Sequence, residues 1–213
     1  MFITLIATIA IIFLVLTSNS AKIKGSIGEL KVNAHLNVIG SEYIFLHDIM
    51  IRNSKGTTSQ IDHIVLSEQG IFVIETKNYK GWIFGNEKSE YWTQVLFKKK
   101  YQFRNPVKQN WSHIYALKTL LTDFPHAKYY PIIVFAGSAI LKKIESSVPV
   151  IYDTVLNRTI KNYSTEKCLS SEEVLQIKNC LQSAEIYERA SRKKHVQNIQ
   201  YKMTERQVHW RRK

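Results

Sequence analysis

Cysteine is nearly absent from this chain, with Cys168 and Cys180 the only two. No CxxC pair and no Cys/His spacing suggests zinc, and nothing asks for an oxidising compartment. Both cysteines read as part of one helical stretch, where a rise of 1.5 Å per residue sets them about 18 Å apart, too far to pair. Internal repeats and low-complexity tracts are missing, as are an HNH arrangement, a catalytic triad and a P-loop. His35, His47, His113, His126, His195 and His209 lack metal-ligand spacing. Acidic residues are scarce, 17 against 30 Lys and Arg, for a net charge of +13 and a pI near 9.7. That imbalance directs attention to polyanionic partners, either nucleic acid or an anionic membrane surface, with solvated lysines as the plain alternative.

What is present fits one sizeable core with an appendage: 213 residues, 45% hydrophobic and 22% charged. The long apolar run lies at the start, Met1 to Leu16, and extension through Ala21 gives it the length to cross a bilayer core of about 30 Å. No Lys or Arg precedes it, whereas Lys22, Lys24 and Lys31 follow. The positive-inside rule therefore predicts a single-pass anchor in the cell membrane with the body in the cytoplasm. Two other readings stand beside it. Ser18-Asn19-Ser20-Ala21 loosely resembles a signal-peptide cleavage site, and a buried helix is opposed by the lack of a polar face. The expected plan is an anchor over 1–21, a folded domain over 22–188 and a basic tail over 189–213. In that tail Glu205 alone opposes nine Lys and Arg. It reads as a solvated tail, a nucleic-acid contact, or a segment drawn to anionic lipid at about 1 kcal/mol per basic residue.

Periodicity predicts a helix over 23–39, with Ile27, Leu30, Ala34 and Val38 as its apolar positions, Glu29 on it and Gly40 as its stop. A strand follows over 43–51 and a turn over 53–57. Residues 81–90 read as loop or bulge, 91–97 as a short strand, 98–100 as a turn tip and 101–103 as its return. Asn105-Pro106 signals a helix reaching about 122, with Val107, Trp111, Ile114, Leu117 and Leu121 as its stripe and Gln109 and His113 on another side. Strands are expected over 129–136 and 148–152. The last helix, 170–189, is opened by Ser170 or Ser171, with Glu172 and Glu173 in its first turn.

Between these lies a hairpin of aliphatic strands, 59–66 and 71–77, that nevertheless contain Asp62, Glu75 and Lys77. A turn centred on Glu68-Gln69 places Asp62 opposite Glu75 and Gln60 opposite Lys77, all four on one face, with His63 on the other as a structural residue. Cβ atoms of directly opposed residues are roughly 4.5–5.5 Å apart. Two acids at that distance repel unless a proton or a cation sits between them, and a divalent metal is the expected occupant, with the lysine beside it to hold or polarise a water. Read singly, the acids are solvent-facing strand residues and the lysine a surface partner; Ile64, Ile71 and Val73 on the same face argue against that.

These residues resemble the PD-(D/E)xK nuclease superfamily, with Asp62 as the first acid and Glu75-Thr76-Lys77 as the (D/E)xK element. The likeness sharpens to the nuclease-related domain through four ordered blocks: Gly28-Glu29, Gln60 to Val65, Gly70 to Tyr79, and Asn105-Pro106-Val107-Lys108-Gln109-Asn110. It covers residues 24–125. The resemblance implies an α/β fold of the restriction-endonuclease type, a central mixed sheet flanked by helices. It implies metal-dependent hydrolysis of nucleic acid, most readily DNA, with Mg²⁺ or Mn²⁺ held by Asp62, Glu75 and the Thr76 carbonyl. Lys77 would act on the attacking water and Glu29 would complete the acidic cluster. Gln60, Gln109 and Asn105 are candidate substrate contacts, the last two equally readable as a helix-surface glutamine and an N-cap. Trp82, Trp92 and Trp111 with Tyr79 and Tyr91 surround this region, where exposed rings can stack on unpaired bases and core packing is the plain reading for Trp92 and Trp111. The rival functions are a binding module of the same fold that does not cut, and a membrane-tethered scaffold acting through its basic tail.

Overall fold

The computed structural model describes residues 25–53, 56–163 and 166–187. The anchor expected over 1–21 and the tail over 189–213 lie outside them. Among the described residues no helix is long and apolar enough to cross a membrane.

The order of elements is α1 (25–36), β1 (Ile44–Arg52), β2 (Thr58–Ser67), β3 (Gly70–Lys77), β4 (Gly81–Asn86), β5 (Tyr91–Leu96), β6 (Lys99–Arg104), α2 (Pro106–Leu120), β7 (Tyr129–Phe135), β8 (Ala139–Glu145), β9 (Val150–Tyr152), α3 (Leu156–Tyr163) and α4 (Ser171–Ala184). The strands form two mixed sheets where one was expected: β1-β2-β3-β7-β9, and β6-β5-β4-β8. In the first, β2 pairs antiparallel with both β1 and β3, while β3, β7 and β9 run parallel.

The first sheet is covered on both faces, so β3 and β7 are near-continuous runs of Ile, Val and Phe. Ile64, Leu66, Ile71 and Val73 pack with Ile114 and Leu117 of α2 and Ile177 and Leu181 of α4. Val65, Phe72, Ile74, Ile132 and Val134 pack on the other side with Val32 and Leu36 of α1 and Leu156 and Ile160 of α3. The second sheet lies on the α2 side, where Ile83 and Trp92 meet Val107, Ile133 and Phe135. The parallel pair β3–β7 ends at Lys77 and Phe135, and the parallel pair β4–β8 begins at Gly81 and Ala139. The same two strands thus cross together from one sheet to the other. At that crossing a Cβ on Gly137 would lie 2.2 Å from the Tyr79 carbonyl oxygen, which only glycine permits.

Several expectations change. Residues 81–86 are a strand, not a loop; their flanking glycines read as turn signals, but Gly85 is there because a Cβ would stand 2.2 Å from the Trp92 ring. The hairpin tip falls at Phe97-Lys98 rather than on Lys98 to Lys100, with Phe97 at φ 55°. α1 ends at residue 36 rather than 39 and buries Val32 and Leu36, and the turn after it buries Ile39, whereas Ile27, Leu30 and Val38 are exposed. Gly28 explains the choice of face, since a Cβ there would be 2.7 Å from Asn78 Cβ. Trp111 leaves the α2 stripe and is exposed beside Tyr115. Cys168 precedes α4, so the two free cysteines do not share a helix. That stretch clasps the β2–β3 turn. The amides of Cys168 and Leu169 donate to the Glu68 carbonyl at 2.8 and 2.9 Å, and Ser171 and Lys167 bond its carboxylate, each at 2.5 Å.

Candidate active site

The β2–β3 hairpin has the expected register, Ser67↔Gly70 through His63↔Ile74. Its continuation sets Asp62 opposite Glu75, just beyond the last paired residues. Alternation fails at this point. The inward side chains step from Leu46 to Ile49 in β1 and from Ile61 to Ile64 in β2, three positions rather than two, while the two strands keep their pairing. Asp48 sits at the switch with φ 55°, an uncommon conformation for a residue with a side chain. Both strands therefore turn over together, and simple period-two counting no longer assigns faces below residue 63.

Glu75 is 1% exposed, on the α2 side of β3. Both its oxygens are engaged: Lys77 Nζ donates to Oε1 at 2.5 Å, and His113 Nε2 lies 3.2 Å from Oε2. Burial alone would raise its pKa, but the Lys77 charge and the His113 hydrogen bond outweigh it and hold the carboxyl below its usual value. For Lys77 burial opposes the charge, and Glu75 prevails to raise its pKa. Lys77 also donates to Gln109 Oε1 at 3.2 Å, so α2 fixes the ammonium from its far side.

Asp62 is half-buried, and its Oδ2 accepts from the Thr76 amide at 2.8 Å. Burial first and the neighbouring Glu75 second push its pKa well above the ordinary value. Glu29, carried toward the site by α1, is also raised, by burial and then by Asp48 and Glu75. Glu75 thus raises the proton affinity of both Glu29 and Asp62, and Lys77 is the opposing charge for each.

Gln60 does not meet Lys77; its amide donates to Asp48 Oδ1 at 2.6 Å, and Gln109 takes the place beside the lysine. Asn105 is an N-cap, accepting from Val107 and Lys108 amides, while its own amide donates to the carbonyls of Asn86, Glu87 and Ser89. It is fully buried, so it ties α2 to the β4–β5 turn and does not face a substrate. Asn110 likewise bonds Val73 and Ile132 carbonyls at 2.7 and 3.1 Å, pinning α2 across β3 and β7. His63 is buried with Nδ1 3.3 Å from the Thr76 hydroxyl; burial lowers its pKa to about 4 and keeps it neutral.

Two residues were not singled out by their sequence pattern. His113 joins Glu75 to the Ser59 hydroxyl, which lies 2.7 Å from Nδ1. Since an ionised Glu75 only accepts, Nε2 carries a proton toward it. Its signal was the spacing of four from Gln109, which puts both on one helix face. Asp48 had the signal that singled out Asp62, an acid inside an aliphatic strand.

Among the described residues no group of three or more His, Cys, Asp or Glu is placed to hold a metal ion. The donors present fit a hard cation that keeps part of its water shell, as Mg²⁺ does on one or two carboxylates. Asp62, Glu75 and the Thr76 carbonyl are the types of donor such a cation takes, and the disfavoured ionisation of Asp62 is what a cation relieves.

A family model described as the nuclease-related domain matches residues 24–136. An uncharacterized protein of Bacillus anthracis is 36% identical over 202 residues, 93% of this chain and 94% of its own length. A crystal structure of a protein of unknown function overlaps 71% of this chain and 65% of that one, just under two thirds of its length, with a TM-score of 0.34 and 11% identity. A likeness that distant carries no argument here.

Proposed function

The chain belongs to the nuclease-related domain family, and from that membership we propose that it is a metal-dependent nuclease with a restriction-endonuclease-like core. It hydrolyses phosphodiester bonds of nucleic acid, DNA foremost, and is tethered to the cytoplasmic face of the cell membrane by residues 1–21. The observation that carries the proposal is the Glu75–Lys77 pair, buried and braced by Gln109 and His113, beside an Asp62 whose anion is disfavoured.

Hydrolysis needs a more acidic water, relief of charge on the phosphoryl oxygens and a proton for the leaving oxygen. Mg²⁺ or Mn²⁺ held by Asp62, Glu75 and the Thr76 carbonyl would supply the first two. Lys77 stands where an ammonium orients the attacking water and offsets charge that grows in the transition state. Gln109 keeps it there, and the Thr76 amide aims the Asp62 carboxylate. Glu29, raised in pKa and half-buried, is suited to hold a water at the edge of the acidic group. The net charge of +13 supports a polyanionic substrate.

The full chain in detergent micelles, given labelled DNA with Mg²⁺ or Mn²⁺, is expected to cut, and chelation to stop it. Asp62→Asn, which keeps the acceptor for Thr76, should lower the rate by about 10²–10³, as loss of one charge-stabilising group does. DNA binding without metal-dependent cleavage would overturn this reading in favour of a non-cutting binding module.

A further inference from the structure

The second sheet packs Ile83 and Trp92 inward, and its other face has a different composition. Directly paired residues share a face, so the row Ile140–Trp82–Val95–Lys100 runs across all four strands on the outer side. Ile140 and Trp82 are 49% and 47% exposed, a large share for an indole in mid-sheet. The β4–β8 register shifts between Ile83 and Phe84, and Lys142 is the extra residue of that bulge. Its ammonium is thereby aimed at the indole, 5.0 Å from the ring centroid. Phe97 at the β5–β6 tip is 94% exposed and is followed by three lysines. Glu145, farther along β8, is already engaged by Asn86 and Lys143.

We propose that this outer face is a binding site for single-stranded nucleic acid, with Trp82 as a stacking platform for an unpaired base and Lys142 as the partner of the adjoining phosphate. The inference rests on the nuclease reading and names its substrate class. A half-exposed indole takes any base by its π-face once the Lys142 ammonium swings from the ring to the phosphate, and lysines around it neutralise the backbone. A duplex keeps its bases stacked within, so a sheet face bearing a central exposed ring selects strands whose bases are free. Trp82 lies five residues beyond Lys77, on the same strand pair that carries Glu75 across the crossing between sheets. A strand laid on this face is therefore held by the direct extension of the site-bearing strand.

The test is titration of the full chain, in detergent and with chelator present, against a fluorescent single-stranded oligonucleotide and its duplex. Trp82→Ala should weaken single-strand binding about 5- to 100-fold, the range for loss of one stacking residue, and change duplex binding less than about twofold. Trp82→Phe should recover most of it, and Lys142→Ala should flatten the salt dependence by about one phosphate. Single-strand binding undiminished in Trp82→Ala overturns the inference, as does an equal loss for duplex. So does finding that the variant instead loses self-association or anionic-vesicle binding. Wild-type cleavage in Mg²⁺ or Mn²⁺ separates the two readings. If it cuts while Trp82→Ala binds normally, only this inference fails; if it binds through Trp82 without cutting, only the catalytic one fails.

Discussion

Asp62 and Glu75 are a strand apart and respond oppositely to the same surroundings. Glu75 is held low by Lys77 and His113 against its own burial, so its share of stability is present above the ordinary carboxylate pKa and lost as pH falls through the lowered value. Asp62 is raised, so its ionisation costs the folded state stability, in full above the raised pKa and not at all below the ordinary value of about 3.9. Asp62→Asn should therefore raise Tm at neutral pH in metal-free buffer by roughly 2–4 °C, the shift that 1 kcal/mol produces at this chain length. The gain should shrink as the buffer is acidified and vanish below about pH 3.9. A lower Tm at neutral pH would mean that Asp62 is stabilised as an anion without metal. At this scale much was legible in the sequence: acids and a lysine within aliphatic strands are an anomaly that periodicity exposes. The roles of His113 and Asp48 were not, because a hydrogen bond from helix to strand and a strained φ depend on how separate elements meet.

Elements were legible where local chemistry decides them. The hairpin register followed from a two-residue turn between long aliphatic strands, and both capped helices announced themselves through Asn105-Pro106 and Ser170 with Glu173. α3, only eight residues long, and β8, with Lys142 and Lys143 adjacent, offered too little periodicity to be seen. The packed face of α1 was set by a close approach at Gly28, which no count of apolar positions reveals. Asn105 shows how one side chain joins two elements. Asn105→Ala removes an N-cap and takes a donor from the Glu87 and Ser89 carbonyls, while the Asn86 carbonyl keeps the Trp92 indole N–H, and should cost about 2–4 kcal/mol in urea unfolding. Asn105→Ser, a good N-cap without charge, keeps the cap acceptor while losing the amide donors, so its loss should be smaller. Equal losses for the two variants would locate the whole effect in the carbonyls.

For the molecule as a whole, a charge of +13 sets the long-range behaviour. Nucleic-acid affinity should fall about tenfold or more between 50 and 200 mM salt, as neutralising even three phosphates of a single strand requires. An affinity indifferent to salt would place the positive charge away from the bound strand. The fold also has a consequence for biosynthesis. The turn that brings the two acids together is clasped by Ser171, 103 positions downstream of Glu68. A translating ribosome releases that turn long before its clasp is made. A prematurely terminated product ending ahead of Glu166 would contain every candidate catalytic side chain and lack the contacts that close the hairpin bearing them.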